Sequence, residues 1–163
     1  MCVSGVNPML PRIFLAAIAA LAVITPLAAG AAPPTYIPHA TAPGGAPLPF
    51  SDAVLAGDTL YVAGHIGIDA HSGNVPADPD SEARQVMDAV KHTVEAAGLR
   101  MDDLVSVTVF CTDLALYDKF NAVYRGYFHG HYPARAFIGA DKLVRGAHFE
   151  VLGIALRAAP AAH

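Results

Sequence analysis

Cysteine is nearly absent from this chain of 163 residues, which holds only Cys2 and Cys111. Cys2 has no apolar segment before it, so it is not the lipid-carrying cysteine of a lipoprotein. If the N-terminal segment is removed, as argued below, Cys111 remains alone and no internal disulfide can form. Cys111 follows an apolar run, where a cysteine is usually a small buried hydrophobic residue. Stability must therefore come from packing and assembly.

The chain also lacks a basic surface pattern and several common catalytic motifs. Lys plus Arg number 10 against 14 Asp plus Glu, for a formal net charge of −4. No basic stripe alternates with aromatic residues, so we expect no nucleic-acid partner. No Ser/His/Asp or Cys/His arrangement and no phosphate-binding glycine loop is present. His129 and His131 are two of eight histidines, but no acid or cysteine completes a ligand set, so no metal and no cofactor are expected.

The longest apolar run lies near the N-terminus. Residues 13–29 carry no charge, Arg12 precedes them, and Ala-Gly-Ala at 29–31 has the small-x-small pattern of a cleavage site. This combination is typical of a secretory signal peptide, so residues 1–31 are expected to be one. The mature protein is then exported, periplasmic or secreted, without stable membrane association.

Two alternatives stay open for this segment. Residues 13–32 are barely long enough to span a bilayer as a retained anchor. The true start could also be Met9, since the segment from Met9 to Ala31 would make a conventional signal by itself.

The rest of the chain divides into an arm, a domain and a tail. Residues 32–49 are rich in Pro, Gly and Ala, which predicts an extended arm. Residues 50–159 have the length and apolar content of one compact domain. Residues 160–163 are expected to be a disordered tail.

Hydrophobic periodicity within the domain predicts seven elements. They are a hairpin of strands 51–55 and 59–64, a helix beginning after Asp78-Pro79 and ending at Gly98, a strand 104–111, a helix 116–128, and strands 134–138 and 149–156. This order predicts an α+β fold, a mixed β-sheet with two helices packed on one face. In so apolar a chain, the other face of the sheet needs a partner.

Two charged residues, Arg135 and Glu150, stand in the most apolar part of the domain. The strand period places Glu150 on the same face as Leu152, Ile154 and Leu156, where it would be partly removed from water and able to exchange protons. The guanidinium of Arg135 is suited to binding a carboxylate at two points. The pair could therefore bind an acid and move a proton. Alternatively, it forms a structural ion pair between neighbouring strands, or Glu150 lies at a solvated sheet edge.

A longer pattern surrounds these two residues, from Pro49 to Arg157. It comprises PFSDAV, LYVAGHIGID, HSGNVP, EARQVMDAVKHTVEAAGL, DDLVSVTVFCTDLALYDKFNAVYRGYF, PARAFIG and FEVLGIAL. Over this length the chain resembles the RidA (YjgF) family. The resemblance implies a chorismate-mutase-like fold and a homotrimeric barrel with sites at the subunit interfaces. It also implies hydrolytic deamination of reactive 2-imino acids or enamines to 2-keto acids and ammonia, without a cofactor.

The resemblance further implies roles for particular residues. Arg135 would bind the carboxylate of a small substrate, and Glu150 would activate the catalytic water. Gly64 would bring its backbone close to the ligand, although a glycine in a strand also marks a bulge. Asn121 would lie near the site, although an asparagine within a helix often caps it or faces water. Backbone groups around Phe137 would help to hold water and ligand.

Several positions depart from the family pattern. Phe50, expected to line the substrate site, stands where many members have tyrosine. His65 replaces the usual glutamine, Ala136 a serine, Val144 a common proline and Leu152 a second glutamate. These changes make the expected pocket drier. They keep open an alternative function, an exported trimer that binds small carboxylates without turning them over.

Overall fold

The computed structural model describes residue 1, residues 32–39 and residues 48–158. Contacts divide the chain into a unit Met1–Gly30 and a unit Ala31–His163, and the description below concerns the second. The expected signal peptide, part of the arm and the tail lie outside the described residues. Within the described part of the chain, no helix is long and apolar enough to cross a membrane.

One six-stranded mixed sheet carries two helices on one face, which confirms the predicted fold class. The strands are β1 Thr35–Pro38, β2 Ser51–Ala56, β3 Thr59–Ile66, β4 Leu104–Cys111, β5 Ala134–Gly139 and β6 Phe149–Leu156. The helices are α1 Pro79–Ala96 and α2 Tyr117–Tyr124, the second followed by a 3₁₀ turn Arg125–Tyr127. The predicted second helix therefore ends earlier than its apolar spacing indicated.

The order of strands across the sheet is β1-β2-β3-β6-β4-β5. Neighbours are antiparallel except β4 and β5, which are parallel and joined through α2. Two consequences matter for the site. β5 is an edge strand with one side of its backbone unpaired, and β4 separates β5 from β6.

The arm contributes a strand that the sequence pattern did not predict. β1 pairs antiparallel with β2, with Tyr36 opposite Val54. A strand of 4 residues at a sheet edge needs hydrogen bonds from one neighbour only, and its Pro38, which has no N–H to donate, stands at its end. The Pro, Gly and Ala content of residues 32–49 had predicted an extended arm, because a strand this short gives no periodic signal of its own.

Helix α1 begins and ends as its sequence predicts. The carboxylate of Asp78 accepts a hydrogen bond from the backbone N–H of Ser81 at 3.0 Å, and Pro79 occupies the first turn, where its missing N–H costs nothing. Gly98 then adopts a φ of +76°, which glycine allows without strain. The buried stripe of this helix, Val86, Met87, Val90 and Val94, lies against the sheet. Each such side chain contributes about 1.5–3 kcal/mol by leaving water.

The two faces of the sheet differ sharply along β6. Phe149 and Val151 are fully buried on the helix side, whereas Glu150, Leu152 and Ile154 are half-buried on the open side. This alternation confirms the face predicted for Glu150.

An apolar row crosses the open face of the sheet. It runs in register through Tyr36, Val54, Tyr61 and Ile154. Tyr36 is 63% exposed and Tyr61 52% exposed. Large apolar side chains exposed on the uncovered face of a sheet are typical of a surface that another molecule covers.

Candidate functional site

Arg135 lies on edge strand β5 and points to the helix side of the sheet. Its register partner is Val107 of β4, which is buried under the helices. Nη2 of Arg135 donates a hydrogen bond to Oδ1 of Asn121 at 2.7 Å, and Asn121 is 8% exposed. The helix asparagine therefore neither caps nor faces water, and it orients the guanidinium instead.

Aromatic rings surround this guanidinium. Cζ of Arg135 lies 4.5 Å from the ring centroid of Tyr124, 5.8 Å from that of Tyr117 and 5.7 Å from that of Phe137. Cation–π attraction of this kind is worth about 0.5–2 kcal/mol per ring. The rings hold the guanidinium in one place and leave its remaining N–H groups for a ligand.

The hydroxyl of Tyr124 is buried and has no hydrogen-bond partner within the described residues. Burial raises the pKa of Tyr124 to about 12, against a smaller opposing effect of the Arg135 charge. A buried hydroxyl without a partner costs about 1–3 kcal/mol, unless a ligand accepts from it. Tyr117, Asn121 and Tyr124 recur at helical spacing, and this is the sequence signal that could have predicted them together around Arg135.

A cavity of 270 Å³ opens beside Arg135. Its lining residues share aromatic, cationic or amide character, and they are Tyr117, Asn121, Tyr124, Arg125, Tyr132, Pro133 and Arg135. A positive charge set in an aromatic wall suits a small organic anion.

Glu150 lies on the open face of β6, next to a bulge in β3. The register of β3 against β6 shifts between Val62 and His65, so two residues of β3, one of them Gly64, stand opposite one. A Cβ built on Gly64 would overlap Oε1 of Glu150. The bulge reading of Gly64 is therefore confirmed, and the glycine makes room for the carboxylate.

The carboxylate of Glu150 opens into a second cavity of 540 Å³. Its walls are largely apolar with a few polar groups, and they comprise His39, Leu48, Phe50, Asp52, Gly64, His65, Ile66, Ile68, Ala89, Val144, Arg145 and Glu150. Phe50 is 50% exposed and contacts the ring of His39, with centroids 5.9 Å apart. The structure thus brings Phe50, Gly64 and Glu150 together in one cavity.

Arg135 and Glu150 do not meet within one chain. β4 stands between their strands, with Val107 opposite Arg135 and Phe110 opposite Glu150. The two strands are about 10 Å apart at a spacing of about 4.8 Å per strand, and the two side chains leave opposite faces of the sheet. The alternative of an ion pair between neighbouring strands of the same chain is therefore wrong.

The remaining predicted residues divide between the two halves. The ring of Phe137 packs edge-on against Tyr117 at 4.9 Å and Phe120 at 5.6 Å, so Phe137 belongs to the Arg135 half of the site, on the edge strand β5. Among the described residues no group of three or more His, Cys, Asp or Glu could hold a metal ion. Cys111 is fully buried, and burial raises the pKa of its thiol.

A buried carboxylate that sequence reasoning missed holds the start of β6. Glu82 of α1 is fully buried. Its Oε1 accepts from the backbone N–H of His148 at 2.6 Å and of Phe149 at 2.9 Å, and its Oε2 lies 2.7 Å from Nδ1 of His148. The residue after these two is Glu150. The signal was available, because Glu82 falls on the apolar stripe of α1, four residues before Val86.

We expect Glu82→Ala to destabilise the protein by about 4 kcal/mol, because the buried N–H of Phe149 and the part-buried N–H of His148 lose their acceptor and a cavity opens. Glu82→Gln keeps the shape and one acceptor oxygen, so it should cost only about 1 kcal/mol. Urea unfolding at one fixed protein concentration measures both free energies. Glu95→Ala is the matched control, since Glu95 is an exposed residue of the same helix. Equal effects of the three variants would contradict the role of Glu82.

Comparison with known proteins identifies relatives of this chain. The family described as Endoribonuclease L-PSP matches residues 40–157. The chain is 38% identical over 112 residues to the 2-iminobutanoate/2-iminopropanoate deaminase of Escherichia coli K12, covering 67% of this chain and 88% of that protein.

Solved structures agree with that sequence match. The structure of Escherichia coli TdcF with bound serine superimposes with a TM-score of 0.69 at 31% identity, over 76% of this chain and all (100%) of that one. The YjgF gene product of Escherichia coli superimposes with a TM-score of 0.65 at 36% identity, over 68% of this chain and 89% of that one.

Proposed function

Because the chain belongs to the RidA (YjgF) family, described as Endoribonuclease L-PSP, we propose that it hydrolyses reactive 2-imino acids and their enamine tautomers to 2-keto acids and ammonia. The observation that carries the proposal is the pair of half-sites. An oriented guanidinium lines one cavity, and a carboxylate with space reserved for it lines the other. The name of the Escherichia coli relative supports the same chemistry.

Arg135 binds the substrate carboxylate in this proposal. Asn121 holds one N–H of the guanidinium, and the aromatic rings restrict its motion, so the free N–H groups are fixed in direction before substrate arrives. The hydroxyl of Tyr124 supplies a further donor to the anion. Binding the carboxylate in a fixed position places the imine carbon for attack and removes an entropic part of the barrier.

Glu150 activates the water. Its carboxylate accepts a proton as water adds to the imine carbon, and Gly64 lets the carboxylate lie close to the sheet while the apolar wall excludes other water. Phe50, in the position where many family members have tyrosine, adds an apolar surface and no hydroxyl. The substrate side chain therefore meets an apolar wall on this side.

The complete site forms between two copies of the chain, as homotrimeric assembly would provide. Arg135 and Glu150 leave opposite faces of one sheet, so a second copy must bring its Glu150 to the Arg135 of the first, or the reverse. The apolar row through Tyr36, Tyr61 and Ile154 offers the surface for that contact, and a barrel of three copies would cover it. We further propose that residues 1–31 direct export, so the trimer works outside the cytoplasm.

The test is the decay of 2-imino acids made in situ by an amino-acid oxidase, with and without the purified protein. Wild-type protein should accelerate decay of 2-iminopropanoate or of a bulkier 2-imino acid. Glu150→Gln should lower kcat about 100-fold, because it removes the proton acceptor. The Kd for the 2-keto acid product should stay within about twofold, since Arg135 is intact. Isothermal titration measures that Kd. Glu95→Gln is the control for a carboxylate outside the site, and it should leave both quantities unchanged.

A second candidate is a trimer that binds small carboxylates without turnover. The relative TdcF has been solved with bound serine, an amino acid that has a carboxylate and no imine. If no imine decays faster with the wild-type protein while serine or a 2-keto acid binds in an Arg135-dependent way, the binding function replaces the enzyme.

A further inference from the structure

A histidine–carboxylate pair lies in the Glu150 cavity, outside the groups assigned above. Nδ1 of His39 lies 2.7 Å from Oδ1 of Asp52. The side chain of Asp52 is 16% exposed and that of His39 is 39% exposed. His39 follows β1 directly, and the pairing of Pro38 with Ser51 brings the ring beside β2. The strand that the sequence pattern missed therefore delivers the histidine.

The carboxylate of Asp52 decides which nitrogen of His39 is available. An ionised carboxylate only accepts hydrogen bonds, so Nδ1 of His39 must be the donor toward it. Nε2 is then the nitrogen that gains and loses a proton, as in other carboxylate–histidine pairs. The ring also rests against Phe50, with centroids 5.9 Å apart, so both an ion contact and a ring contact fix its position.

The other two side chains of this cavity that carry basic nitrogen atoms, His65 and Arg145, contact other groups. Nε2 of His65 lies 3.3 Å from Oγ1 of Thr93, and burial lowers the pKa of His65, which keeps it neutral. Arg145 donates to the backbone carbonyl of Gly73. Arginine does not give up its proton in proteins, so His39 is, among the described residues that line this cavity, the one whose ring nitrogen Nε2 can donate a proton.

We propose that His39, oriented by Asp52, is a second catalytic residue of this cavity and protonates the departing nitrogen. The inference rests on the proposed imine hydrolysis. Glu150 takes a proton as water adds to the iminium carbon, which gives a neutral carbinolamine. Imidazolium Nε2 then protonates the amine, the C–N bond breaks as the hydroxyl oxygen forms the C=O bond, and the hydroxyl proton returns to His39. Glu150 passes its proton to the released ammonia, so the products are a 2-keto acid and ammonium.

The test is His39→Ala with chemical rescue. We expect kcat for imine hydrolysis to fall about 100-fold, within the range for a positioned proton donor, while KM changes less than about threefold. Added imidazole should restore kcat in proportion to its concentration, after subtraction of its effect without protein. A histidine that only supports the fold would show no such rescue. Asp52→Asn should lower kcat while leaving the ring in place, by a smaller factor than His39→Ala.

His129→Ala is the matched control. His129 also lies near a carboxylate, with Nδ1 3.9 Å from Oδ2 of Asp102, but its side chain is 85% exposed and lies outside both cavities. It should keep the wild-type kcat with and without imidazole. Unchanged kcat in His39→Ala, or loss of kcat that imidazole leaves unrestored in a folded protein, overturns the role of His39. If the wild-type protein accelerates the decay of no 2-imino acid, the proposed function itself is contradicted. Failure of the proposed function can therefore be distinguished from failure of the role of His39.

Discussion

Replacing Arg135 with alanine is expected to lower kcat/KM for 2-imino acids about 1000-fold. The guanidinium would make two charge-assisted hydrogen bonds to the substrate carboxylate, each worth about 2 kcal/mol, and about 4 kcal/mol corresponds to that factor. Arg125 lines the same cavity, but among the described residues the cation–π contacts with these rings are made by Arg135, so we expect no other cation to take its place. The imine-decay assay measures the loss.

Two further variants make this result specific. Arg135→Lys keeps the charge and loses the planar fork, so activity should fall less than in Arg135→Ala but stay well below wild type. Arg100→Ala removes an arginine whose side chain is 78% exposed, and it should change nothing. Size-exclusion chromatography should give the same oligomer for all variants. If the Arg135→Ala protein remains folded and keeps its activity, the assignment of Arg135 as the residue that binds the substrate carboxylate is contradicted.

Mixing two inactive variants should restore activity, and this is the most direct test of a site shared between copies. Arg135→Ala chains keep Glu150, and Glu150→Gln chains keep Arg135. After unfolding and refolding together in equal amounts, each interface has one chance in four of combining both intact residues, so about a quarter of wild-type activity should return. Each variant refolded alone should stay at its own residual activity, about 100-fold below wild type for Glu150→Gln and about 1000-fold below for Arg135→Ala. The expected result follows from the position of Arg135 and Glu150 on opposite faces of the sheet.

The control mixture combines Arg135→Ala with the double variant Arg135→Ala/Glu150→Gln. Neither chain carries the arginine, so no interface can regain it and activity should remain at the background. Recovery in the first mixture and not in the second identifies complementation. If the first mixture recovers nothing, although chromatography of differently tagged chains shows mixed oligomers, a site formed between copies is excluded.

Local rules predicted much of the fold. Period-two alternation assigned the face of Glu150 because β6 has one side under the helices and the other open. Asp78 and Pro79 predicted the start of α1, since capping needs only neighbours in sequence. These features depend on interactions within one element, which a single sequence contains.

Hydrophobic periodicity could not predict which strands pair with one another when they are distant in sequence. The placement of β4 between β5 and β6 depends on contacts between distant segments, and it separates Arg135 from Glu150. The strand that brings His39 into the cavity is an edge strand, too short to give a periodic signal. The sequence indicated only that Glu82 is an acidic residue in the first turn of a helix. Its role could not be predicted, because its backbone partners at the start of β6 lie 66 and 67 positions away.

The bulge at Gly64 also constrains how this protein can change over evolutionary time. A side chain at position 64 and a carboxylate at position 150 would occupy the same volume, so the two positions cannot vary independently. A lineage that acquires any larger residue at 64 must first shorten or displace the glutamate. Loss of the glutamate, in turn, removes the requirement for glycine. Descendants that abandon the chemistry are therefore free to change both residues, whereas a chain that keeps the glutamate in this position must also keep the glycine.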